Sequence, residues 1–280
     1  MEKEEILYTI KGLPPFSETA LKAIKAVKDP DSSAQDLVNI IQYDQSITAN
    51  ILRFANSAYF GLRVRVTSLK QAVAYLGSKA IIDMLFLSGS LSYFRGEYDG
   101  YGLKGEDLLT HSVSTALMCR ILGERIGLEE TSTVFTAGLL HDIGKVILSS
   151  FVKDRYNEIM QLVTCDNYSF VTAEREVLGM DHAQVGGEVA KEWGIPEEIV
   201  RPISLHHQFE KAPLEDISTP LVFLSDQVFF VIGGTMGADR WSFKRIKEAL
   251  TRCQLREGDL DGAMFTLRES LKEVQELLRS

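Results

Sequence analysis

All five histidines of this 280-residue chain lie in short polar groups set within apolar helical sequence. The groups are Thr110-His111-Ser112, His141-Asp142-Ile143-Gly144-Lys145, Asp181-His182-Ala183 and His206-His207. Ser225-Asp226-Gln227 is a further group of the same kind. Imidazole nitrogens and carboxylate oxygens are good ligands for iron, manganese, zinc and similar divalent ions. His141 and Asp142 are adjacent and could serve one site, with Asp142 bridging two ions. Asp107 and His111 are four apart and share a helix face. Two ions about 3.5–4 Å apart lower the pKa of a bridging water and clamp a phosphoryl oxygen. Lys145 follows Asp142 by three residues and His141 by four, within reach of the same pocket, where it would stabilise charge developing on phosphate. Gly144 is expected to leave room for a ligand beside the helix. A lone histidine on a helix face is ordinarily a hydrogen-bonded core or surface residue. The set carries more weight, because histidine is scarce here and none falls elsewhere.

The elements that must position these residues are helices. Leu21, Ile24, Ala26 and Val27 recur at helical spacing, as do Leu37, Ile40 and Ile41, then Ile47, Ile51, Leu52 and Phe54. Ser17, the Asp29–Ser33 break, Asp44 and Ser68 supply helix starts. Gly77 closes Leu69–Leu76, and the apolar run Lys79–Leu91 predicts a buried helix. The glycine-rich stretch 95–102 marks a boundary. Beyond it the patterns predict helices over Leu103–Ile126, Thr133–Phe151, Tyr156–Thr164, Thr172–Leu178, His182–Trp193, a helix from Pro196 toward His206, Leu221–Ile232, Phe243–Cys253 and Leu260–Leu278. Arg63–Thr67 alternates briefly and reads as a loop or short hairpin. The expected domains are 1–95, an N-terminal helical subdomain; 96–240, the bundle carrying the polar groups; and 241–280, its C-terminal helical extension.

Composition narrows the function. The formal charge is −9, from 30 basic and 39 acidic residues. Residues 1–95 hold 11 basic and 9 acidic side chains, whereas 96–280 hold 19 and 30. Duplex DNA is therefore not an expected partner, since its binding depends on Lys and Arg neutralising phosphates. Cys119, Cys165 and Cys253 are far apart and read as reduced thiols. Leu221–Ile232, taken as the longest apolar run, is interrupted by Asp226 and falls short of the ~20 residues of a bilayer span. With an acidic start, Met1-Glu2-Lys3-Glu4-Glu5, the expected location is cytoplasmic, with no membrane partner. No G-x-S-x-G elbow, P-loop or dinucleotide fingerprint stands in the chain.

Leu139-Leu140-His141-Asp142-Ile143-Gly144-Lys145 resembles the central motif of the HD superfamily of metal-dependent phosphohydrolases. The order His111, His141-Asp142, Asp226 is similar to that superfamily's H…HD…D signature. His182 and His206-His207 resemble the added ligands of its two-metal HD-GYP members, which are cyclic-dinucleotide phosphodiesterases. Ile195-Pro196-Glu197-Glu198-Ile199-Val200 resembles their approach to the double histidine, and Asp107 stands where some have an extra acidic ligand. Leu13-Pro14-Pro15, Asn56-Ser57-Ala58-Tyr59-Phe60-Gly61 and Thr67–Gly77 resemble the HDOD domain, the HD-related output domain, with the likeness running from residue 6 to 210 and its HD-like part reaching Asp226.

The resemblance implies an all-α fold, an N-terminal helical bundle packed on a C-terminal HD-like helical bundle. It implies that His111, His141, Asp142, His182, His206, His207 and Asp226 hold one or two divalent transition-metal ions, iron or manganese favoured and zinc the alternative. Asp142 and Lys145 are then the catalytic pair. It favours as the function a signal-transduction output module with a metal-binding HD pocket and signalling-protein partners, typical of bacterial HDOD proteins, many of which have lost HD ligands. The alternative is an active metal-dependent phosphohydrolase acting on a nucleotide or other phosphate ester. This chain keeps the full ligand set. It lacks D-G-x-G-Y-P after His206-His207, where Gln208-Phe209-Glu210-Lys211-Ala212-Pro213 stands, and that departure argues against cyclic-di-GMP as substrate.

Overall fold

Helix starts are fixed by side-chain caps at the positions the sequence predicts. The computed structural model describes the backbone of residues 2–29, 31–231 and 243–279, and the side chains of 2–29, 31–228 and 244–271. Helix α1 spans Glu2–Lys11 and buries Ile6 and Ile10. The Ser17 hydroxyl accepts the Ala20 N–H ahead of α2 (Glu18–Lys28). Ser33 and Asp36 form a reciprocal capping box on α3 (Ala34–Ile41). Asp44 accepts from Ile47 at 3.0 Å to start α4 (Gln45–Ala55), and Ser68 caps α5 (Leu69–Ser90). Such caps satisfy amides that have no partner within the helix. Gly77, at φ 79°, bends α5 and separates its two predicted halves; that left-handed backbone suits glycine.

Contacts divide the chain into two units: Met1–Pro14 with Tyr93–Met264, and Pro15–Ser92 with Phe265–Ser280. In the second unit α2 to α5 bury Ile24, Leu37, Ile41, Ile51, Phe54, Ile81 and Phe86. Phe16 stacks on Phe86 with ring centroids 5.4 Å apart. Arg63–Thr67 is a loop. Asn56 pins it, donating to the Val66 carbonyl and accepting the Val66 N–H, both at 2.7 Å.

The first unit opens its central segment with a hairpin, β1 (Glu97–Tyr98) antiparallel to β2 (Leu103–Lys104). Then come α6 (Gly105–Arg125), α7 (Thr131–Leu140), α8 (Gly144–Asp154), α9 (Tyr156–Thr164), α10 (Phe170–Leu178), α11 (His182–Glu192), α12 (Glu197–Leu205), α13 (Ser218–Val231), α14 (Phe243–Arg252) and α15 (Glu257–Arg279). The fold is all-α, as expected. The units differ from the sequence-based domains in two places. Ile6 and Ile10 bury the apolar stripe of α1 with α8 and α11, which takes residues 1–14 into the first unit. Helix α15 runs from the first unit into the second. Ile232 and the expected boundary at 240 lie outside the described residues.

The single helix expected over Thr133–Phe151 is two helices, because residues 141–143 form a turn between α7 and α8. The expected start at Leu103 moves to Gly105, since Leu103 and Lys104 pair in the hairpin. Leu221–Ile232 is not the longest apolar run. Leu69–Ser90 and Thr131–Asp154 are long and apolar enough to cross a membrane by length and composition alone, and the second is 78% buried within the protein, as befits core helices.

Candidate metal centre

Five helices bring the five histidines and two aspartates together in the first unit. His111 comes from α6, His141 from the C-cap of α7, and Asp142 from the turn that follows. His182 is the first residue of α11, His206 the C-cap of α12, His207 its neighbour, and Asp226 belongs to α13. All are buried except His207, which is half-buried.

The local structure of the helix ends sets the ring orientations. Carbonyls in the last turn of a helix lack an intrahelical donor. His141 Nδ1 lies 2.7 Å from the Gly138 carbonyl, and His206 Nδ1 lies 2.8 Å from that of Ile203. A carbonyl only accepts, so each Nδ1 donates and each Nε2 is turned into the cluster. His182 Nδ1 likewise donates to Glu174 Oε2 at 2.7 Å, and its Nε2 sits 2.9 Å from His207 Nε2.

Asp142 divides its two oxygens. Oδ2 faces His111 Nε2 at 3.3 Å and His141 Nε2 at 3.4 Å; Oδ1 faces His182 Nε2 at 3.4 Å. Asp226 Oδ1 completes the first side, 3.1 Å from His111 Nε2 and 3.6 Å from His141 Nε2. The ligand-type atoms fall into overlapping groups: His111, His141 and Asp226; His141, Asp142 and His206; and His182, His206 and His207. Within each group they lie within 4.8 Å of one another. Imidazole and carboxylate in these numbers match borderline divalent metals.

An unpaired atom tests the fit. His206 Nε2 is buried with no hydrogen-bond partner among the described residues. A buried acceptor left so costs about 1–3 kcal/mol, and a cation among these groups would satisfy it. The residues fit a divalent ion.

Charge is distributed unevenly over the cluster. Burial, then the neighbouring His141 and His182, depresses the His206 pKa to about 3 and keeps that ring neutral. His207 is pushed well below the usual range by burial, His206 and His182. Burial also opposes charge on His182, but Glu174 outweighs it and raises the pKa to about 9. Burial would raise Asp142, yet Lys145, His141, His111 and His182 hold it well below the usual carboxylate range. Asp226 is held down in the same sense by His111 and His141. The Lys145 ammonium lies 2.6 Å from Asp142 Oδ2, at the edge of the cluster as its spacing predicts.

Two expectations are corrected. Asp107 is exposed and remote in role from the cluster: its carboxylate accepts the Lys104 N–H at 3.2 Å, at the start of α6. Gly144 leaves room for protein, not for a ligand. A Cβ there would collide with the His182 carbonyl oxygen and sit 2.7 Å from the Gly186 nitrogen, so its absence lets α8 meet α11.

Glu174 and Tyr101 are the functional neighbours that sequence reasoning missed. Glu174 is fully buried; it accepts from the His182 ring, the His182 backbone N–H at 3.1 Å and the Tyr101 hydroxyl. A signal existed, because Glu174 lies three after Val171 and four before Leu178, on the buried stripe of α10. Asp181 caps α11 through the Gln184 N–H at 2.8 Å and is itself held by Arg175.

The HDOD domain profile matches residues 13–209. The chain is 25% identical to a solved HDOD domain protein of unknown function from Geobacter sulfurreducens, with a TM-score of 0.77 over 98% of this chain and 97% of that one. It is 23% identical over 229 residues to an uncharacterized protein of Treponema pallidum, spanning 81% of this chain and 44% of that protein. It is 30% identical over 139 residues to ribonuclease Y of Desulfotalea psychrophila, spanning 49% of this chain and 20% of the enzyme. The chain thus spans less than half the length of these two curated relatives. With the profile running from Leu13 past His207, and the fold shared along nearly its whole length, the chain belongs to the HDOD domain family.

Proposed function

We propose that this HDOD protein holds one or two divalent transition-metal ions at the His–Asp cluster and hydrolyses a phosphate ester there. The observation that carries the reading is Asp142, whose two oxygens face two histidine groups while its turn-mate Lys145 faces Oδ2. His111, His141 and Asp226 would hold an ion on one side, His182, His206 and His207 on the other, and Asp142 both. A bound ion would supply Lewis acidity and activate water. The chain's own groups do the rest. Glu174, Gly138 O and Ile203 O orient the rings, burial excludes bulk water, and the Lys145 ammonium offsets negative charge on phosphate oxygens. The identity shared with ribonuclease Y supports phosphodiesters as the substrate class. Imidazole and carboxylate suit iron, manganese and zinc alike, and the resemblance to the HD superfamily favours iron or manganese. Metal analysis of the purified protein tests the reading. Iron, manganese or zinc should co-purify, and turnover of bis(p-nitrophenyl) phosphate should vanish in Asp142→Ala. Protein that neither contains nor takes up these metals would sink it.

A second reading, an output module for bacterial signalling, is favoured by the family itself and by Tyr43, Val64 and Tyr75, all exposed in the second unit. Its partners would be signalling proteins meeting the surface of residues 50–75. Changing Val64 and Tyr75 to Ser should abolish their capture in a pull-down. The three unpaired cysteines suit a reducing compartment such as the cytoplasm.

A further inference from the structure

A cavity of about 310 Å³ in the first unit reaches the cluster from the side of His207. Its chemistry is opposite to that of the protein around it. The whole chain carries a charge of −9, and the cavity's own half holds the acidic excess. Yet among the described residues lining this cavity none is acidic, and two, Arg175 and Arg245, are cationic.

Both guanidinium groups are held in place. Arg175 donates through Nε to Asp181 at 3.1 Å and through Nη2 to the same carboxylate. Arg245 donates through Nε to Glu210 at 2.7 Å and through Nη2 to the His207 carbonyl at 2.7 Å, and its guanidinium lies 4.8 Å from the ring centroid of Phe223. In each the Nη1 amine makes no hydrogen bond to the described residues. A planar fork fixed on one side by a carboxylate presents its remaining donors at little entropic cost, which is the arrangement that recognises phosphate. The rest of the lining used here, Thr172, Gln208 and Gln227, offers hydroxyl and amide groups that could bond a sugar or base.

Size sets the upper limit. Ligand pockets commonly run from about 300 to 1,000 Å³, so this cavity stands at the small end, suited to one nucleotide unit.

We propose that this cavity is an anion-binding subsite that seats a phosphate monoester of mononucleotide size, with Arg175 and Arg245 gripping the phosphate beside His207. The role of the cavity as the seat of the nucleotide monophosphate that phosphodiester hydrolysis releases rests on the metal-centre reading; its affinity for the anion does not. The subsite takes the ligand phosphate-first, and a cyclic dinucleotide exceeds it.

Calorimetric titration of the full chain with AMP, with adenosine as control, tests the subsite, and metal content is measured on the same samples. AMP should bind, adenosine should bind at least tenfold more weakly, and Arg175→Gln and Arg245→Gln should each weaken AMP about tenfold or more, as loss of a charge-assisted bond does. Arg175 also holds Asp181, so Arg175→Gln could disturb α11. Thr172→Trp fills the cavity with both arginines in place and should abolish AMP binding with its helical circular dichroism retained. Equal binding of AMP and adenosine, no AMP binding at 10 mM, or AMP binding unchanged in Arg245→Gln and Thr172→Trp would each overturn the subsite. Absence of metal with AMP binding still dependent on the arginines would overturn the metal reading and uphold the subsite.

Discussion

Glu174 Oε2 accepts the ring Nδ1–H of His182 at 2.7 Å, with both side chains buried. The carboxylate thereby fixes the ring so that His182 Nε2 faces Asp142 and His207. It also ties α10 to the first residue of α11 through the His182 backbone N–H.

Loss of that orientation is measurable as metal affinity. Partners behind metal-binding histidines typically contribute 10–100-fold to affinity. Glu174→Gln keeps the size but loses the charge, and its amide can orient a proton donor toward the ring. It should lower affinity within that range in chelator competition, with the helical signal unchanged. Wild-type affinity in Glu174→Gln would show that the bond is structural only.

Among the described residues Asp142 is the one carboxylate facing both histidine groups, so its removal should differ in kind from that of a histidine. Asp142→Asn should lose metal from both sides, whereas His207→Ala should lose it from one. Elemental analysis of the two variants reads this directly. The same change strips the part-buried Lys145 of its partner, and breaking such a pair costs up to roughly 3–5 kcal/mol. Thermal melts of metal-free Asp142→Asn should therefore fall below those of the metal-free wild type. Equal metal content in the two variants would falsify the bridging role.

Gly144→Ala should be among the most damaging of small changes. Its methyl would meet the His182 carbonyl and the Gly186 nitrogen, both backbone atoms. Overpacking of this kind costs typically about 1–3 kcal/mol or more. A lowered denaturation midpoint together with lost metal is expected, because separating α8 from α11 moves Asp142, in the turn leading into α8, away from His182. An unchanged midpoint would mean the helices can slide apart freely.

The thiols offer a test remote from metal chemistry. Burial pushes Cys119 and Cys253 up to about 12, while Cys165 is exposed. At pH 8 the folded protein should release one equivalent of thionitrobenzoate from Ellman's reagent, and three in denaturant. An unfolded cysteine ionises near about 8.5. Above that pH the folded state keeps protons the unfolded state gives up, so stability should be full below it and decline as pH rises toward 12. Melting temperatures between pH 8 and 10.5 should fall less steeply in Cys253→Ala. Three rapid equivalents in native buffer would contradict the packing.

Much of the site was legible before any coordinates. Five scarce histidines in apolar helical sequence, His141-Asp142 side by side and Lys145 one turn on are facts of spacing, and spacing along a helix determines which side chains share a face. The helix starts were legible for the same reason, since capping is a matter of residues three apart. Other features depend on residues distant in the chain. The break at 141–143 interrupts a pattern that reads as one helix, and it is decided by where α8 must meet α11. Asp107 stands one turn before His111 in sequence, but it lies at the start of α6 and satisfies a backbone amide there. Glu174 reads as one more acid in an amphipathic segment until α10 and α11 bring it against His182. The cationic cavity in an acidic half exists only because Arg175 and Arg245, seventy residues apart, converge on His207. By itself the sequence determined which groups could bind a metal and the helices that carry them. The tertiary structure decided which of them meet, because convergence is fixed by packing between helices, and helical periodicity carries no record of it.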